Sequence, residues 1–355
     1  MKALVLSGGS GTRLRPFTYS MPKQLMPIAN RPVLEHVLEN IRELGVSEVG
    51  IVVGDRATEI AAVLGDGSRF GLELTYIRQE KPLGLAHCVT IARDFLGEDD
   101  FVMYLGDNML PDGVQEIARE FAARRPTAQV VVRRVADPRA FGVAEVAPDG
   151  RVTRLVEKPE RPNSDLALTG VYFLTPLIHQ AIDRITPSAR GELEITDALQ
   201  WLISYGATVL AREYTGYWKD TGCVEDVLDC NRELLGDLKG SVTGLVDAES
   251  ELVGPVVVEA GARVVRSRIV GPAIVGAGSH VVDSQVGPYT SIGRDCRLLD
   301  AALEGSIMLD GASVSRVPAL RGSLIGRAAA VTSADVGSAH GRLVVGDHTH
   351  VEVAA

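Results

Sequence analysis

Glycines near the start of the chain stand together with cations in a pattern suited to phosphate binding. The stretch comprises Gly8, Gly9, Gly11 and Thr12, and it follows an apolar run that ends at Leu6. Glycines in such density allow positive φ and let backbone N–H groups converge on one anion. The forked guanidinium of Arg13 adds donors for phosphate oxygens, and Lys23 adds a second cation. The pattern predicts a site for the phosphate chain of a nucleotide.

Two common glycine motifs and an ordinary turn are the alternatives to this interpretation. The P-loop requires a Gly-Lys-Ser/Thr ending, which does not occur here, and the dinucleotide fingerprint requires a glycine where Leu14 stands. A tight turn after a strand remains as the structural alternative. The second cation, Lys23, lies in Pro-Lys-Gln-Leu at residues 22–25 and favours the phosphate site.

Two aspartates lie in contexts suited to a metal ion. Asp107 follows the apolar run of residues 101–105, and Asp220 lies within Trp-Lys-Asp-Thr-Gly at residues 218–222. Mg²⁺ is usually bound by one or two carboxylates together with phosphate oxygens. Either aspartate alone is also typical of a turn or a helix cap. Beside a phosphate loop, the pair predicts a magnesium site.

Two further motifs carry polar groups with a possible role in recognition. The carboxamide of Gln79 offers one donor and one acceptor face, enough to pair with the O4/N3 edge of a pyrimidine. Lys158 lies in Glu-Lys-Pro at residues 157–159, after a strand-like run. The structural alternatives are a loop residue for Gln79 and a solvated surface charge for Lys158.

Together these motifs resemble the sugar-1-phosphate nucleotidylyltransferases, and among them the thymidylyl branch. Residues 8–14 with Pro16, and residues 22–25, match the opening signature of that family. Residues 79–86 match its Q-x-x-P-x-G-L-A motif, and residues 157–159 match its Glu-Lys-Pro. The family often has tyrosine where Phe141 stands, which removes one hydroxyl contact to the sugar. Residues 188–197 also match a stretch of the thymidylyl branch, and we assign its acids no chemical role.

The resemblance implies a role for each matching residue. The implied catalytic residues are Arg13, Lys23 and Lys158, and the implied metal ligands are Asp107 and Asp220. Implied nucleotide contacts come from Leu6, Gly8, Gly9, Gly11, Thr12, Gln79, Pro82 and Gly84. Implied sugar contacts come from Asn108, Gly142, Glu157, Lys158, Thr169, Gly170 and Tyr172, with Lys158 on the sugar phosphate and Glu157 on sugar hydroxyls.

The implied reaction is Mg²⁺-dependent condensation of dTTP with glucose 1-phosphate, with release of pyrophosphate. The alternatives are a UTP-using enzyme and a bifunctional enzyme that also transfers acyl groups. An acyltransferase would need a histidine base, for which the residue type offers His280, His340, His348 and His350. A non-catalytic homologue is a further alternative, which the complete set of cations and aspartates disfavours.

Alternating apolar runs up to about residue 235 predict the elements that carry these groups. Strands are expected at residues 3–6, 49–53, 74–77, 101–105 and 152–156, and helices at residues 33–41, 58–64 and 86–95. The alternation predicts an α/β fold with a mostly parallel, Rossmann-like sheet and helices on both faces. Ligands bind such sheets at the carboxyl ends of the strands, where Gly8, Gly54, Gly106 and Asp107 are expected.

From about residue 250 aliphatic residues recur at intervals of six, as at Leu252, Val258 and Val264. This repeat is typical of a hexapeptide, left-handed parallel β-helix, and a loose glycine-rich tail is the alternative. Residues 317–318 and 328–339 break the repeat and are expected to be loops. The predicted domains are therefore a nucleotidyltransferase domain at 1–240 and a β-helix at 241–355, whose flat faces suit assembly into trimers or tetramers.

Composition narrows the class of protein. The chain has 355 residues, 46% of them hydrophobic and 23% charged, which suits a globular protein with two domains. A net charge of −10 argues against a nucleic-acid or anionic-membrane partner. No apolar run approaches the roughly 20 residues of a membrane span, and no signal peptide is expected. Four cysteines without C-x-x-C spacing suit a cytoplasmic location.

Overall fold

The computed structural model describes residues 1–9, 11–333 and 343–353 of the chain. Ser10 of the glycine stretch lies outside the described residues, as do His340 and residues 334–339 of the segment expected to be a loop. The chain packs as two compact units. The first comprises Met1–Gly9 and Val33–Asp220, and the second comprises Ser10–Pro32 and Thr221–Ala355. The boundary at residue 240 stays a prediction, because packing sorts residues 10–32 with the C-terminal part of the chain.

Strands and helices are mixed along the chain up to residue 236, and the predicted alternation is broken between residues 128 and 174, where four strands follow one another. The strands are β1 (Lys2–Ser7), β2 (Pro27–Ile28), β3 (Arg31–Pro32), β4 (Glu48–Val53), β5 (Glu73–Arg78), β6 (Phe101–Leu105), β7 (Asn108–Met109), β8 (Ala128–Arg134), β9 (Gly142–Val146), β10 (Val152–Glu157), β11 (Leu166–Leu174), β12 (Val209–Glu213) and β13 (Lys219–Asp220). The helices are α1 (Val33–Glu43), α2 (Ala57–Leu64), α3 (Leu85–Ile91), α4 (Arg93–Leu96), α5 (Gln115–Arg124), α6 (Leu177–Ile182), α7 (Ile195–Ser204) and α8 (Val224–Gly236). Within the described ranges, each helix is too short or too polar to cross a membrane.

A large sheet forms the centre of the first unit, in the order β10-β9-β11-β6-β1-β4-β5, with β8 paired to β11 and β12 paired to β8. Strands β6, β1, β4 and β5 are mutually parallel. Residues 3–7 of β1 are all buried, as a strand covered on both faces requires. The predicted parallel sheet is confirmed in this half.

The other half of the sheet adds antiparallel pairs that the alternation of runs does not predict. Strand β11 runs antiparallel to β6, β8 and β9, and β10 runs antiparallel to β9. The prediction of one continuous helix at residues 86–95 is wrong, because the structure has two helices there, α3 and α4. The backbone of Ala92 has φ −92° and ψ 3°, outside the helical region, and this residue separates the two helices.

Stacked short strands form three parallel sheets in the second unit, the arrangement expected of the left-handed β-helix. The strands are β14 (Ser241–Val242), β15 (Leu245–Val246), β16 (Glu251–Val253), β17 (Val256–Val258), β18 (Arg263–Val265), β19 (Arg268–Val270), β20 (Ala273–Val275), β21 (His280–Val282), β22 (Gln285–Val286), β23 (Thr290–Ile292), β24 (Arg297–Leu299), β25 (Ala302–Glu304), β26 (Ile307–Met308), β27 (Ser313–Ser315), β28 (Leu320–Arg321), β29 (Leu324–Ile325), β30 (Ala330–Ser333), β31 (Val344–Val345) and β32 (His350–Val353). Residues 317–318 lie between β27 and β28, as predicted. Residues 330–333 form β30 where a loop is predicted, because Val331 continues the buried aliphatic stack.

Aliphatic residues stack in register along the axis of the coil. One stack comprises Val264, Val281, Leu298, Val314 and Val331, each at most 1% exposed. Buried serines join the same coils, since the Oγ of Ser267 accepts the N–H of Ser284, 17 residues further on. In the same way, the Oγ of Ser279 accepts the N–H of Cys296, and the Oγ of Ser306 accepts the N–H of Ser323. Each full turn therefore takes about three of the predicted six-residue steps.

We expect Leu298→Ala to lower the free energy of unfolding by about 2–5 kcal/mol, because it leaves a cavity between Val281 and Val314. The neighbouring Leu299 is 39% exposed, which makes Leu299→Ala a matched control with an expected loss below about 1 kcal/mol. Urea denaturation of the two variants measures the difference. Equal losses would contradict the inward stacking of Leu298.

Candidate functional site

The predicted ligand edge of the sheet is present in the first unit. The parallel strands β6, β1, β4 and β5 end at Leu105, Ser7, Val53 and Arg78. The residues that follow these strands are Gly106 with Asp107, Gly8, Gly54 and Gln79. Because parallel neighbouring strands end on the same side, these residues lie along one edge. The expected position of Gly8, Gly54, Gly106 and Asp107 is confirmed.

Close packing explains why the edge is rich in glycine. A Cβ on Gly8 would lie 3.0 Å from Oε1 of Gln79, and one on Gly54 would lie 3.3 Å from the carbonyl oxygen of Gly8. A Cβ on Gly106 would lie 2.6 Å from Oγ of Ser7. This Oγ is buried and has no hydrogen-bond partner in the part of the chain that the structure describes. Ser7 is thus a polar group at the edge that the sequence analysis does not single out.

Gln79 is buried, with 7% exposure, directly after β5. Its Nε2 donates to the carbonyl of Gly84 at 3.4 Å and lies 3.0 Å from Nδ1 of His87. Burial lowers the pKa of His87, so the neutral ring can accept that hydrogen bond. The arrangement leaves Oε1 of Gln79 turned toward Gly8. The role of His87 in orienting this amide is not visible in the sequence.

Gly84 serves the packing of the same loop. Its φ is +103°, and a Cβ there would collide with the backbone of Leu193. Backbone hydrogen bonds join the two segments, from Leu193 to Leu83 and from Ala86 to Leu193. Pro82 is exposed in this loop. The backbone of Leu193 therefore supports the loop that contains Pro82 and Gly84, and the nucleotide contacts of these two residues stay predictions.

A short antiparallel pair brings the two aspartate motifs together. Strand β13 pairs with β7 so that Asp220 lies opposite Asn108, the residue after Asp107. Opposed residues of an antiparallel pair have Cα atoms roughly 5 Å apart. The Nδ2 of Asn108 donates to Oδ1 of Asp107 at 3.0 Å, which orients that carboxylate. Two carboxylates held this way suit Mg²⁺, which needs few protein ligands. No cluster of three or more His, Cys, Asp or Glu residues suited to a metal occurs among the described residues.

Trp218 connects this pair to the rest of the site. Its Nε1 donates to Oδ1 of Asn108 at 2.8 Å and to the carbonyl oxygen of Thr169 at 3.0 Å. Its ring meets the ring of Phe141 edge to face, with centroids 5.2 Å apart. The side chain is 9% exposed, and a buried indole N–H needs such a partner. Trp218 therefore joins Asn108, Thr169 and Phe141, a connection that its sequence context does not indicate.

Glu157 lies above Gly142 on neighbouring strands. The two residues pair in register, and a Cβ on Gly142 would lie 3.2 Å from Oε2 of Glu157. The same oxygen accepts the hydroxyl of Thr196 at 3.2 Å. Lys158 adopts a φ of +41°, its N–H donates to the carbonyl of Phe141, and its Nζ lies 3.6 Å from Glu157. The predicted sugar residues Gly142, Glu157 and Lys158 are therefore neighbours.

The segment of residues 188–197 surrounds Glu157. Arg190 Nη1 lies 3.4 Å from Oε1 of Glu157 and 3.3 Å from Oε1 of Glu194. Glu194 also accepts the hydroxyl of Ser188 and begins α7. Burial raises the pKa of Glu194, and the nearby charge of Glu157 raises it further. Burial, followed by the charge of Glu194, raises the pKa of Asp197. Arg190, Glu194 and Thr196 are supporting residues to which the sequence analysis gives no role.

Thr169, Gly170 and Tyr172 lie on β11, where its register with β8 shifts between Leu168 and Tyr172. The hydroxyl of Thr169 is fully buried and donates to the carbonyl of Val131. Gly170 has φ +84°, and a Cβ there would lie 2.7 Å from the side chain of Leu105. Burial raises the pKa of Tyr172, and so does the charge of Glu157. Thr169 therefore supports the site through its carbonyl, which accepts from Trp218.

The predicted phosphate residues Gly11, Thr12, Arg13 and Lys23 belong to the second unit, whereas Leu6 and Gly9 belong to the first. Gly11 has φ +61° and precedes a short 3-10 helix, Thr12–Leu14, which contains Arg13. A Cβ on Gly11 would lie 3.0 Å from Cβ of Lys23, so Lys23 packs directly on this glycine. A Cβ on Gly222 would lie 2.7 Å from Nη2 of Arg13. The missing side chain of Gly222 thus makes room for the guanidinium.

Histidines of the coil do not gather around one point among the described residues. His280 lies on β21, and His348 and His350 lie near the end of the chain, all with exposed side chains. His340 is outside the described residues.

Comparison with known proteins places the chain beside nucleotide-transferring enzymes. The sequence model of the family described as nucleotidyl transferase matches residues 2–236. A glucose-1-phosphate thymidylyltransferase of Streptomyces griseus is 56% identical over 355 residues, which cover 100% of both chains. One of Streptomyces antibioticus is 53% identical, covering 99% of each. A Bacillus anthracis protein assigned as a glucose-1-phosphate thymidylyltransferase, solved in complex with sucrose, is 33% identical with a TM-score of 0.63, covering 68% of this chain and 97% of its own.

We expect Trp218→Phe to lower the free energy of unfolding by about 1–3 kcal/mol, because the carbonyl of Thr169 and Oδ1 of Asn108 lose a buried donor. Trp201 stacks on Tyr205 and is less buried, so Trp201→Phe is the matched control, with an expected loss below about 1 kcal/mol. Urea denaturation of each variant provides the comparison. A loss at Trp201 as large as that at Trp218 would refute the importance of the shared donor.

Proposed function

The chain belongs to the nucleotidyl transferase family, and on that premise we propose that it condenses dTTP with α-D-glucose 1-phosphate to give dTDP-glucose and pyrophosphate. The observation that carries this proposal is the 56% identity over the full length to a glucose-1-phosphate thymidylyltransferase. The β-helix is included in that alignment, so the similarity is not confined to the transferase domain.

The reaction is an in-line displacement at phosphorus. A phosphate oxygen of glucose 1-phosphate attacks the α-phosphorus of dTTP, and the bond from this phosphorus to the oxygen that bridges to the β-phosphorus breaks. The bonding electrons leave with pyrophosphate. Because the attacking oxygen already carries negative charge, no strong general base is needed. Catalysis then depends on positioning and on neutralising the clustered charge.

Arg13 and Lys23 supply cations for the triphosphate in this proposal. The guanidinium is a fixed fork that matches two phosphate oxygens, whereas the ammonium of Lys23 acts as a point charge. The contact of Arg13 with Gly222 and the packing of Lys23 on Gly11 support the proposal, because both restrict where the charged groups can lie. Pre-positioned charge lowers the barrier without reorganisation during the reaction.

Asp107 and Asp220 would hold the magnesium ion. The pairing of β7 with β13 and the hydrogen bond from Asn108 to Asp107 fit this role, since they fix two hard oxygen donors near each other. Mg²⁺ held by these two carboxylates would supply positive charge against the phosphate oxygens. Asn108 contributes by orienting the carboxylate, and Trp218 contributes by holding Asn108.

Sugar and base recognition are assigned to separate groups of the first unit. Lys158 binds the phosphate of glucose 1-phosphate, and Glu157 accepts hydrogen bonds from sugar hydroxyls while Thr196 and Arg190 hold its carboxylate. Gln79 pairs with the base through its carboxamide. Uracil presents the same O4/N3 edge as thymine, which leaves UTP as the alternative nucleotide.

We also propose a cytoplasmic location and a homo-oligomer, a trimer or tetramer. The four cysteines, all among the described residues, form no disulfide bond with one another, which suits a reducing compartment. Burial raises the pKa of Cys88 and of Cys296 to about 12, so these thiols stay protonated and unreactive. The flat sheets of the coil support the oligomer.

The proposed function predicts pyrophosphate release that requires dTTP, glucose 1-phosphate and Mg²⁺ together. A panel of dTTP, UTP, CTP and ATP against glucose, galactose and N-acetylglucosamine 1-phosphates, with and without EDTA, measures it. We expect dTTP with glucose 1-phosphate to give the highest kcat/KM and EDTA to abolish turnover. A preference for UTP would replace the thymidylyl assignment, and turnover in EDTA would refute the magnesium site.

The contact between Gly222 and Arg13 predicts that Gly222→Ala reduces kcat about tenfold or more, because the methyl group displaces the guanidinium. Arg13→Ala should reduce kcat about a hundredfold, comparable with removing a transition-state donor. Gly236 at the end of α8 has open space around it, which makes Gly236→Ala the matched control with normal turnover. Steady-state kinetics and circular dichroism check activity and folding. A near-normal rate for Arg13→Ala would refute its assigned role.

A further inference from the structure

The segment that carries both cations packs with the β-helix. We call residues 11–32 the cation segment. It belongs to the compact unit that contains α8 and the coil, although it follows β1 of the sheet in sequence. Two groups of hydrogen bonds hold the cation segment within this unit, one near Ala29 and one near Ser20.

The first group holds the turn between β2 and β3. Ala29 and Asn30 form this turn with φ values of +49° and +62°, the backbone of a two-residue hairpin that favours glycine or asparagine. The N–H of Ala29 donates to Oδ1 of Asn231 at 2.9 Å. The Nδ2 of Asn30 donates to the carbonyl of Ile292 at 2.7 Å. An alanine in the left-handed region persists only where surrounding contacts hold it.

Asn231 is the centre of the first group. It lies on α8 with 1% exposure. Besides the N–H of Ala29, its Oδ1 accepts the hydroxyl of Ser291 at 2.7 Å, and its Nδ2 donates to the carbonyl of Tyr289 at 3.2 Å. One buried amide therefore joins the hairpin, α8 and the coil. Fully bonded buried networks of this kind rigidify the parts they connect.

The second group joins Ser20 to the last described turns of the coil. The hydroxyl of Ser20 donates to Oδ2 of Asp347 at 2.5 Å, and Nη2 of Arg327 donates to the carbonyl of Ser20 at 3.0 Å. Arg327 and Asp347 also pair with each other, through Nε and through the backbone N–H of Arg327. The side chain of Asp347 is 3% exposed, so these charge-assisted bonds are shielded from water. A Cβ on Gly346 would lie 3.0 Å from Pro16, which shows how closely the two parts pack.

We propose that Asn231 and Asp347 are positioning residues for the transfer reaction, through which the β-helix fixes Arg13 and Lys23. Lys23 lies between the two groups of bonds in sequence. Arg13 lies against Gly222, two residues before α8 begins, and α8 carries Asn231. The inference rests on the proposed function for its kinetic consequence. The β-helix then contributes to phosphate binding in addition to any role in assembly.

The test compares Asp347→Ala and Asn231→Leu with Asp283→Ala. Asp283 forms a bidentate pair with Arg266 within the coil, so its variant removes the same kind of ion pair away from Ser20 and Ala29. Hydrogen exchange of residues 11–32 is followed in the protein without substrates, and kcat and KM are measured for each substrate. Asn231→Asp keeps an acceptor for Ala29 and serves as the conservative variant. Ser20→Ala removes only the hydroxyl that donates to Asp347 and supplies the same test should Asp347→Ala fail to fold, as Asn231→Asp does for Asn231→Leu.

We expect the two variants to speed exchange in residues 11–32 about tenfold and to reduce kcat/KM for dTTP about tenfold, with the KM for glucose 1-phosphate little changed. Asp283→Ala should change neither quantity, and Asn231→Asp should retain more activity than Asn231→Leu. Unchanged exchange in both Asp347→Ala and Ser20→Ala overturns the inference. Faster exchange in a protein whose wild type shows no transfer would overturn the proposed function and leave the anchoring intact.

Discussion

The pairing of β7 with β13 is the interaction that brings together the two aspartate motifs of the first unit, which carry the proposed magnesium ligands. Each strand has two residues, yet this pairing alone sets Asp220 opposite Asn108 and beside Asp107. A slip by one residue would turn Asp220 to the other face, because side chains alternate along a strand. So short a ladder cannot fix its own register. The hydrogen bond from the indole N–H of Trp218 to Asn108, across 110 residues of sequence, supports this register.

Trp218 also links the metal side to the sugar side. Its second acceptor is the carbonyl of Thr169, in the irregular part of β11, and its ring contacts Phe141, beside Gly142. Gly142 pairs with Glu157, which Thr196 and Arg190 hold from α7 and the segment before it. A change in the position of this indole would therefore disturb both the proposed metal ligands and the residues proposed to contact the sugar. Such a change would be destabilising, because leaving both buried acceptors without a donor lowers the free energy of unfolding by a few kcal/mol.

Local patterns predict the parts of this protein that depend on local contacts. The apolar runs predict strands β1, β4, β5 and β6 and their parallel pairing. The six-residue repeat predicts a coil, and in the structure Leu252, Val258 and Val264 fall on its three different sheets. The antiparallel half could not be predicted, since the partners of β11 are set by contacts across the sheet. In the sequence, Trp218 cannot be distinguished from an ordinary core tryptophan. Only its burial in the structure reveals that its N–H requires partners. A tryptophan directly before a metal-binding motif is the signal that could have indicated it.

The glycine-rich stretch shows why a motif does not reveal what supports it. Gly8 and Gly9 pack with the sheet, whereas Gly11, Arg13 and Lys23 pack with the coil. The bonds that hold the cation segment come from Asn231 and Asp347, which are 202 and 327 residues away from their partners. Neither residue carries a charge pattern or spacing that a local analysis would connect with phosphate. An unanchored segment would lose its restricted geometry and with it the advantage of pre-positioned charge, so under the proposed function the coil contributes to catalysis by holding the segment in place.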